Sequence, residues 1–333
     1  MRGASIWMIA IGAVMAAGSL AGCATPRRSA EVTSRRPATV ATTRPTTAPA
    51  RPQKPMIDFA RGAGGLPLPT AQLPPDPVKL AVALRAMYGL RVDLPPGRPV
   101  VEVIGDPASY PALDSLRIDL SDGKINPDYK PTQFKSAAPA TPALTVKHFE
   151  YLAQPLRYER SSSNLRITAT DVQFGLLREK DQAALVVTDA ADGRLDFDVS
   201  LADLSNSFRF TAKRAGGSGG FFVHDTSLSL ASDNPHSLTG EVRVAGFWLL
   251  LPTTFRISGR LDVDEKLNAH LSDVACYGED LGGALAASFI NPSLKKVNGQ
   301  SMPFAAFPGS RARLHDVTFH VDDSLRVNAT FGR

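Results

Sequence analysis

Side chains able to do chemistry are thinly spread along this chain. Cysteine occurs twice, at Cys23 and Cys276. Cys276 sits beside Val274 and Ala275, a setting that suits a small core residue better than a nucleophile. The six histidines, His148, His224, His236, His270, His315 and His320, lie far apart and match no metal-ligand spacing. His270 and His320 fall on the polar phase of alternating segments, where a solvated imidazole is expected. The carboxylates of Asp262-Val263-Asp264-Glu265 and Asp322-Asp323 stand where hairpin turns are expected, and turn chemistry accounts for them. A calcium loop needs a longer graded set of oxygen ligands. The run Gly216-Gly217-Ser218-Gly219-Gly220 lacks the lysine and following hydroxyl of a phosphate cradle and reads as a hairpin loop. No hydrolase nucleophile elbow is expected. The pattern points away from an enzyme, with no catalytic residues, no metal and no cofactor, and toward binding or structure. An enzyme with a site assembled from scattered residues is the weakest alternative.

The elements that would carry a binding surface are clearer. Phe255, Ile257, Leu261 and Val263 alternate with polar residues, as do Leu267, Ala269 and Leu271. Val317, Phe319 and Val321, then Leu325, Val327, Ala329 and Phe331, do the same. A two-residue period places each set on one sheet face. Between these strands, residues 280–298 read as a helix with an apolar stripe of Leu281, Ala284, Leu285 and Phe289. Asn291-Pro292 should break it, with Asn291 capping a second short helix and Gly299 ending it. A short helix capped by Asp76-Pro77 should carry Leu80, Ala81, Leu84 and Met87 and stop at Gly89. Residues 144–158 lean to strand, and β signal is steady from Leu165 onward. Leu185 to Val187 should form a hairpin with Leu195, Phe197, Val199 and Leu201 through Asp192-Gly193. The expected fold class is α+β and β-dominated: a large curved antiparallel sheet packed on one long broken C-terminal helix and one short N-terminal helix. Residues 76–333 should form this single domain.

The first 22 residues hold one early basic residue, Arg2, and an apolar run from Ile6 to Ala17, the pattern of a secretory signal peptide. Leu20-Ala21-Gly22-Cys23 resembles the bacterial lipobox. That resemblance implies cleavage before Cys23, lipidation of its thiol and anchoring in the cell envelope, facing the periplasm. Ala24, in place of Asp, favours the outer membrane over the inner. Residues 23–75, rich in Pro, Thr, Ala and Arg, should form a disordered tether. The net charge of +5 is confined to this end: nine basic residues against Glu31 and Asp58 give +7 in residues 1–65, leaving −2 for the remainder. The folded part therefore lacks the basic face of a nucleic-acid binder.

One stretch is more apolar than alternation requires: Phe247-Trp248-Leu249-Leu250-Leu251-Pro252. It reads as a strand buried on both faces or as the exposed lip of a binding surface. Taken with the strands of residues 253–274, the helix of residues 280–298 and the closing hairpin of residues 314–332, the pattern resembles the tubular lipid-binding (TULIP) superfamily. That resemblance implies a curved sheet and helix enclosing an apolar groove, with room for one lobe. The groove candidates are Phe247, Trp248, Phe255, Ile257, Leu261, Val263, Leu281, Leu285 and Phe289. The functional expectation is a non-enzymatic lipoprotein binding a lipid or amphipathic ligand between sheet and helix. The alternative is a scaffold or assembly lipoprotein docking another envelope protein through a sheet edge or the patch at residues 247–251.

Overall fold

A computed structural model describes residues 65–126, 128–129, 140–179, 182–216, 221–248, 251–303 and 312–333. The signal segment, Cys23 and most of the expected tether lie outside the described residues. In chain order the elements are β1 (Leu66–Leu68), α1 (Pro77–Arg91), β2 (Val92–Asp93), β3 (Val101–Ile104), β4 (Ala112–Asp119), β5 (Lys124–Ile125), β6 (Thr141–Tyr158), β7 (Ser161–Glu179), β8 (Gln182–Asp189) and β9 (Asp192–Ser200). There follow α2 (Leu201–Gly216), β10 (Phe221–Asn234), β11 (Ser237–Trp248), β12 (Leu251–Val263), β13 (Asn268–Gly278), α3 (Leu281–Val297), β14 (Gln300–Pro303), β15 (Arg313–Val321) and β16 (Ser324–Gly332).

The fold is α+β and β-dominated. Its strands form two sheets where the alternation suggested one. The first has eleven strands around the path β15-β16-β9-β7-β6-β4-β3, and the second runs β10-β11-β12-β13-β14. Pairing is antiparallel except where β4 and β5 lie parallel to β6. The long strands β6 and β7 organise the first sheet. Their residues Val146, Val172 and Phe174 point into a buried core, and so do Phe149 and Ile167 beyond Asp171, whose positive φ shifts the two-residue alternation by one. Helix α1 lays Leu80 and Leu84, both fully buried, on that core. Asp76 caps it as expected, its Oδ1 accepting the Lys79 N–H at 2.7 Å. The helix continues past Gly89 to Arg91.

Three sequence expectations are corrected here. The folded part begins ahead of residue 76: Leu66 and Leu68 are buried, and β1 pairs with β8. The hairpin through Asp192-Gly193 does not form. β8 and β9 instead pair end to end along β7, which at nineteen residues is long enough to take both. Residues 201–216, expected as strand, form α2. Its start is fixed by Ser200, whose Oγ accepts the Asp203 N–H at 3.0 Å and donates to the Asp203 carboxylate at 2.8 Å. Leu204 and Phe208, four apart, supply the buried face.

The second sheet is rooted in the first. Leu238, Leu261, Val263 and Ala269, at its base, belong to the first core. There the Phe319 N–H donates to Pro235 O at 2.6 Å, and His236 Nδ1 lies 2.9 Å from Val317 O. Farther along, Val242, Val244, Phe255, Ile257, Val274 and Cys276 form a separate core with Phe208 of α2 and Ala287, Leu294 and Val297 of α3.

Candidate functional site

Helix α3 reverses the chain over the inner face of the second sheet. Asp280 begins it, accepting the Gly283 N–H at 2.6 Å. The helix presses on β12 through Gly282 and Gly283: a β-carbon on either would run into the carbonyl oxygens of Pro252 and Thr254. Alongside, a β-carbon on Gly278 of β13 would meet the backbone of Gly283 and Ala284. The helix and strands touch backbone against backbone, with no space for an acyl chain between these segments.

Asn291 does not cap a second helix. Its Oδ1 accepts the Cys276 N–H and its Nδ2 donates to Cys276 O, each at 2.9 Å. Asn298 accepts the Val274 N–H at 3.1 Å in the same way. β14 pairs with β13 only over Asn268 to Leu271, so these two amides satisfy backbone groups that β14 leaves open. α3 is therefore continuous, with Pro292 inside it.

This arrangement turns the expected helix stripe outward. Residues Gly282, Gly283, Ala287, Leu294 and Val297 face the sheet. Leu281 is 83% exposed, Phe289 66% and Leu285 46%. The physical reason is close approach: two adjacent glycines allow the helix axis nearer the strands than a leucine face would, and packing follows the smaller residues. The groove candidates thus separate into two sets. Phe255, Ile257, Leu261 and Val263 are buried core. Leu281, Leu285, Phe289 and Phe247 are surface, with Trp248 partly buried at their edge. The strands do not wrap α3, whose outer side is open.

The surface set is brought together at one end of the second sheet. Register places Phe221, Trp248 and Leu251 in one cross-strand row on the helix side, and Phe222, Phe247 and Pro252 in the next row on the opposite side. Trp248 meets Phe289 edge-to-face at 5.6 Å between ring centroids, so the hairpin end and α3 share one apolar surface. On the other side Phe222 is 66% exposed, and Phe247 packs on the His224 ring at 5.7 Å. Both faces of the sheet end in aromatic groups. Single exposed apolar residues are ordinary; here several are grouped at one end, which makes this end the candidate site.

The rest of the second sheet's outer face is polar and self-paired. Arg243 bonds Glu279 at 2.9 Å, and Arg256 bonds Glu279 and lies 3.6 Å from Glu241. Arg260 bridges Asp262 at 2.9 Å and Asp233 at 3.1 Å. The Arg256 hydrogen bond, opposed by desolvation and joined by Arg243, holds the Glu279 carboxyl below its ordinary value.

Other potential chemistry is accounted for. Cys276 is buried, and desolvation pushes its thiol up to about 11, opposite to what a nucleophile needs. Asp264 binds His270 at 2.9 Å and closes the β12–β13 turn through Asn268. The glycine run does spell Gly-x-Ser-x-Gly from Gly216 to Gly220, but a helix precedes it and a strand follows, the reverse of a nucleophile elbow. Among the described residues no cluster of three or more His, Cys, Asp or Glu side chains is placed to hold a metal. Nor, among them, is any helix long and apolar enough to cross a membrane. A depression of about 290 Å³ on the first sheet is lined by Ser115, His148, Glu150, Thr170 and Asp192. It is formed on strand residues and also includes Phe149 and Ala169. No protein-family model matches the chain, and searches of curated proteins and of solved structures found no match.

Proposed function

We propose that this chain is an envelope lipoprotein, anchored through Cys23, whose folded part is a non-enzymatic lipid-binding module that rests its apolar end on a bilayer. The observation that carries the reading is the outward turn of Leu281, Leu285 and Phe289 beside the Trp248 hairpin. An interior carrier would use those side chains as lining. Here they meet solvent, at the end of a sheet whose arginines are paired. An outward-facing apolar end suits a lipid layer better than a small ligand.

The anchor makes a modest surface sufficient. About 40 residues separate Cys23 from the described fold, a reach on the order of 100 Å in extended form. Tethering raises the local concentration of a second binding surface to the millimolar range. A patch with only millimolar affinity would then be occupied about half the time. The envelope-facing side and the preference for the outer membrane rest on the leader and on Ala24.

A second reading, docking of an envelope protein, is favoured by β10, a fourteen-residue strand paired only on its β11 side in the second sheet. A sheet edge without a second ladder partner is a natural place for strand addition.

Trp248 separates the two. Of the two tryptophans, Trp7 lies in the leader, so the mature chain carries Trp248 alone. In the chain from position 23 with Cys23→Ser, protein-free phosphatidylcholine–phosphatidylglycerol vesicles should blue-shift its emission, and brominated acyl chains should quench it. Unchanged emission and no quenching would rule out the bilayer and leave the protein-docking reading.

A further inference from the structure

Resting on the bilayer reading, we infer that the apolar end selects anionic headgroups, and that Lys295 and Lys296 of α3 read the charge. The two lysines stand on the outward side of the helix. Phe289 and Lys296 are seven residues apart, and Leu281 and Lys295 fourteen, spacings that return to nearly the same side of a helix. The outer side of α3 therefore changes from Leu281, Leu285 and Phe289 to two ammonium groups within about 10 Å along the axis.

Pairing distinguishes these cations from others on the second sheet. Arg243, Arg256 and Arg260 each hold a carboxylate. Lys295 and Lys296 are exposed, and among the described residues neither side chain has an ion-pair partner. A basic last turn also complements the helix dipole, but one cation near the final carbonyls would serve that purpose. Two unpaired lysines beside an apolar strip have the composition of a helix lying in a bilayer interface. Their methylene stems cover apolar surface while the ammonium groups reach phosphate.

The test compares the mature Cys23→Ser chain with the same chain carrying K295Q/K296Q. Both are partitioned onto vesicles of phosphatidylcholine alone and of phosphatidylcholine with phosphatidylglycerol, with Trp248 quenching as readout. The basic tether is identical in the two proteins, so the difference isolates the lysines. Each lysine near an anionic surface contributes about fivefold, so the double variant should lose on the order of tenfold or more on the mixed vesicles. Binding to neutral vesicles should not change, and thermal melting should confirm that both proteins are folded. Equal anionic preference in the two proteins would overturn the assignment while leaving the bilayer reading intact. Absence of any Trp248 response to either vesicle would remove both.

Discussion

The orientation of α3 can be tested by one substitution set read two ways. Consider L281Q/L285Q/F289Q. Full burial of a leucine or phenylalanine contributes about 1.5–3 kcal/mol relative to exposure. These side chains are 83%, 46% and 66% exposed in the free protein, so each has roughly half to four-fifths of that still to gain on a lipid surface. The sum is about 3–6 kcal/mol, or on the order of 10²–10⁴ in partition coefficient at 1.4 kcal/mol per tenfold. The effect on folding should be small. Glutamine is nearly as good a helix former as leucine and better than phenylalanine. The triple substitution also removes the Phe289–Trp248 ring pair, which stabilises the fold by about 1 kcal/mol. Vesicle flotation and thermal melting of the same protein supply the two readouts. The expected result is a melting temperature within a few degrees of the parent and vesicle binding reduced by that factor, with the Trp248 and lysine contributions remaining. Had the stripe faced the sheet, three buried polar substitutions would each cost about 2–5 kcal/mol, enough to unfold most domains. Loss of the cooperative transition would place the stripe against the sheet, and undiminished flotation would remove it from the membrane surface.

Further outcomes follow from the same packing. Gly283→Ala would ordinarily favour a helix by about 1 kcal/mol, but its β-carbon meets Thr254 O, so the change should instead destabilise by about 1–3 kcal/mol in a denaturant titration. A stabilised variant would mean that α3 stands off the strands. Cys276, the remaining thiol of the Cys23→Ser chain, should resist iodoacetamide at mildly alkaline pH until denaturant is added; fast labelling of the folded protein would contradict its burial and raised pKa. The His270 hydrogen bond, then Asn268, holds the Asp264 carboxyl far below its ordinary value. A lowered folded-state pKa gives stability that is present above the unfolded carboxyl's pKa and is lost as pH falls below it. Asp264→Asn should therefore flatten the decline in melting temperature below about pH 4, and an unaltered acid slope would show that the pair is immaterial to folding.

Much of the fold was legible because alternation is a direct consequence of strand geometry. Val317 and Phe319, or Leu325 and Ala329, need no tertiary information to be assigned to one face, and both pairs are buried. Asp76-Pro77 announced α1 because its cap acts within four residues. α2 was missed although its signal was present: Ser200-x-x-Asp203 is a capping pattern, outweighed by the aromatic residues that followed. The division into two sheets, and the use of β7 by both β8 and β9, could not be read locally. Register along a nineteen-residue strand is chosen by distant partners.

The candidate site was legible in composition and misread in direction, and the cause is specific. A helical stripe states which residues share a side; it does not state which side meets the protein. The usual inference assigns the larger apolar residues to the core because they bury more area. That inference fails when the opposite side carries glycines at a crossing, since the smaller area per residue is offset by the shorter interaxial distance and by backbone packing along the line of approach. Gly282, Gly283 and Gly278 form such a crossing, and Asn291 and Asn298 fix it by bonding to the part of β13 that β14 does not cover. With that face committed, Leu281, Leu285 and Phe289 cannot also face the sheet. Their exposure is therefore a consequence of how α3 is held rather than of a loose helix, and a surface held in place by five anchoring residues is ordered before any partner meets it.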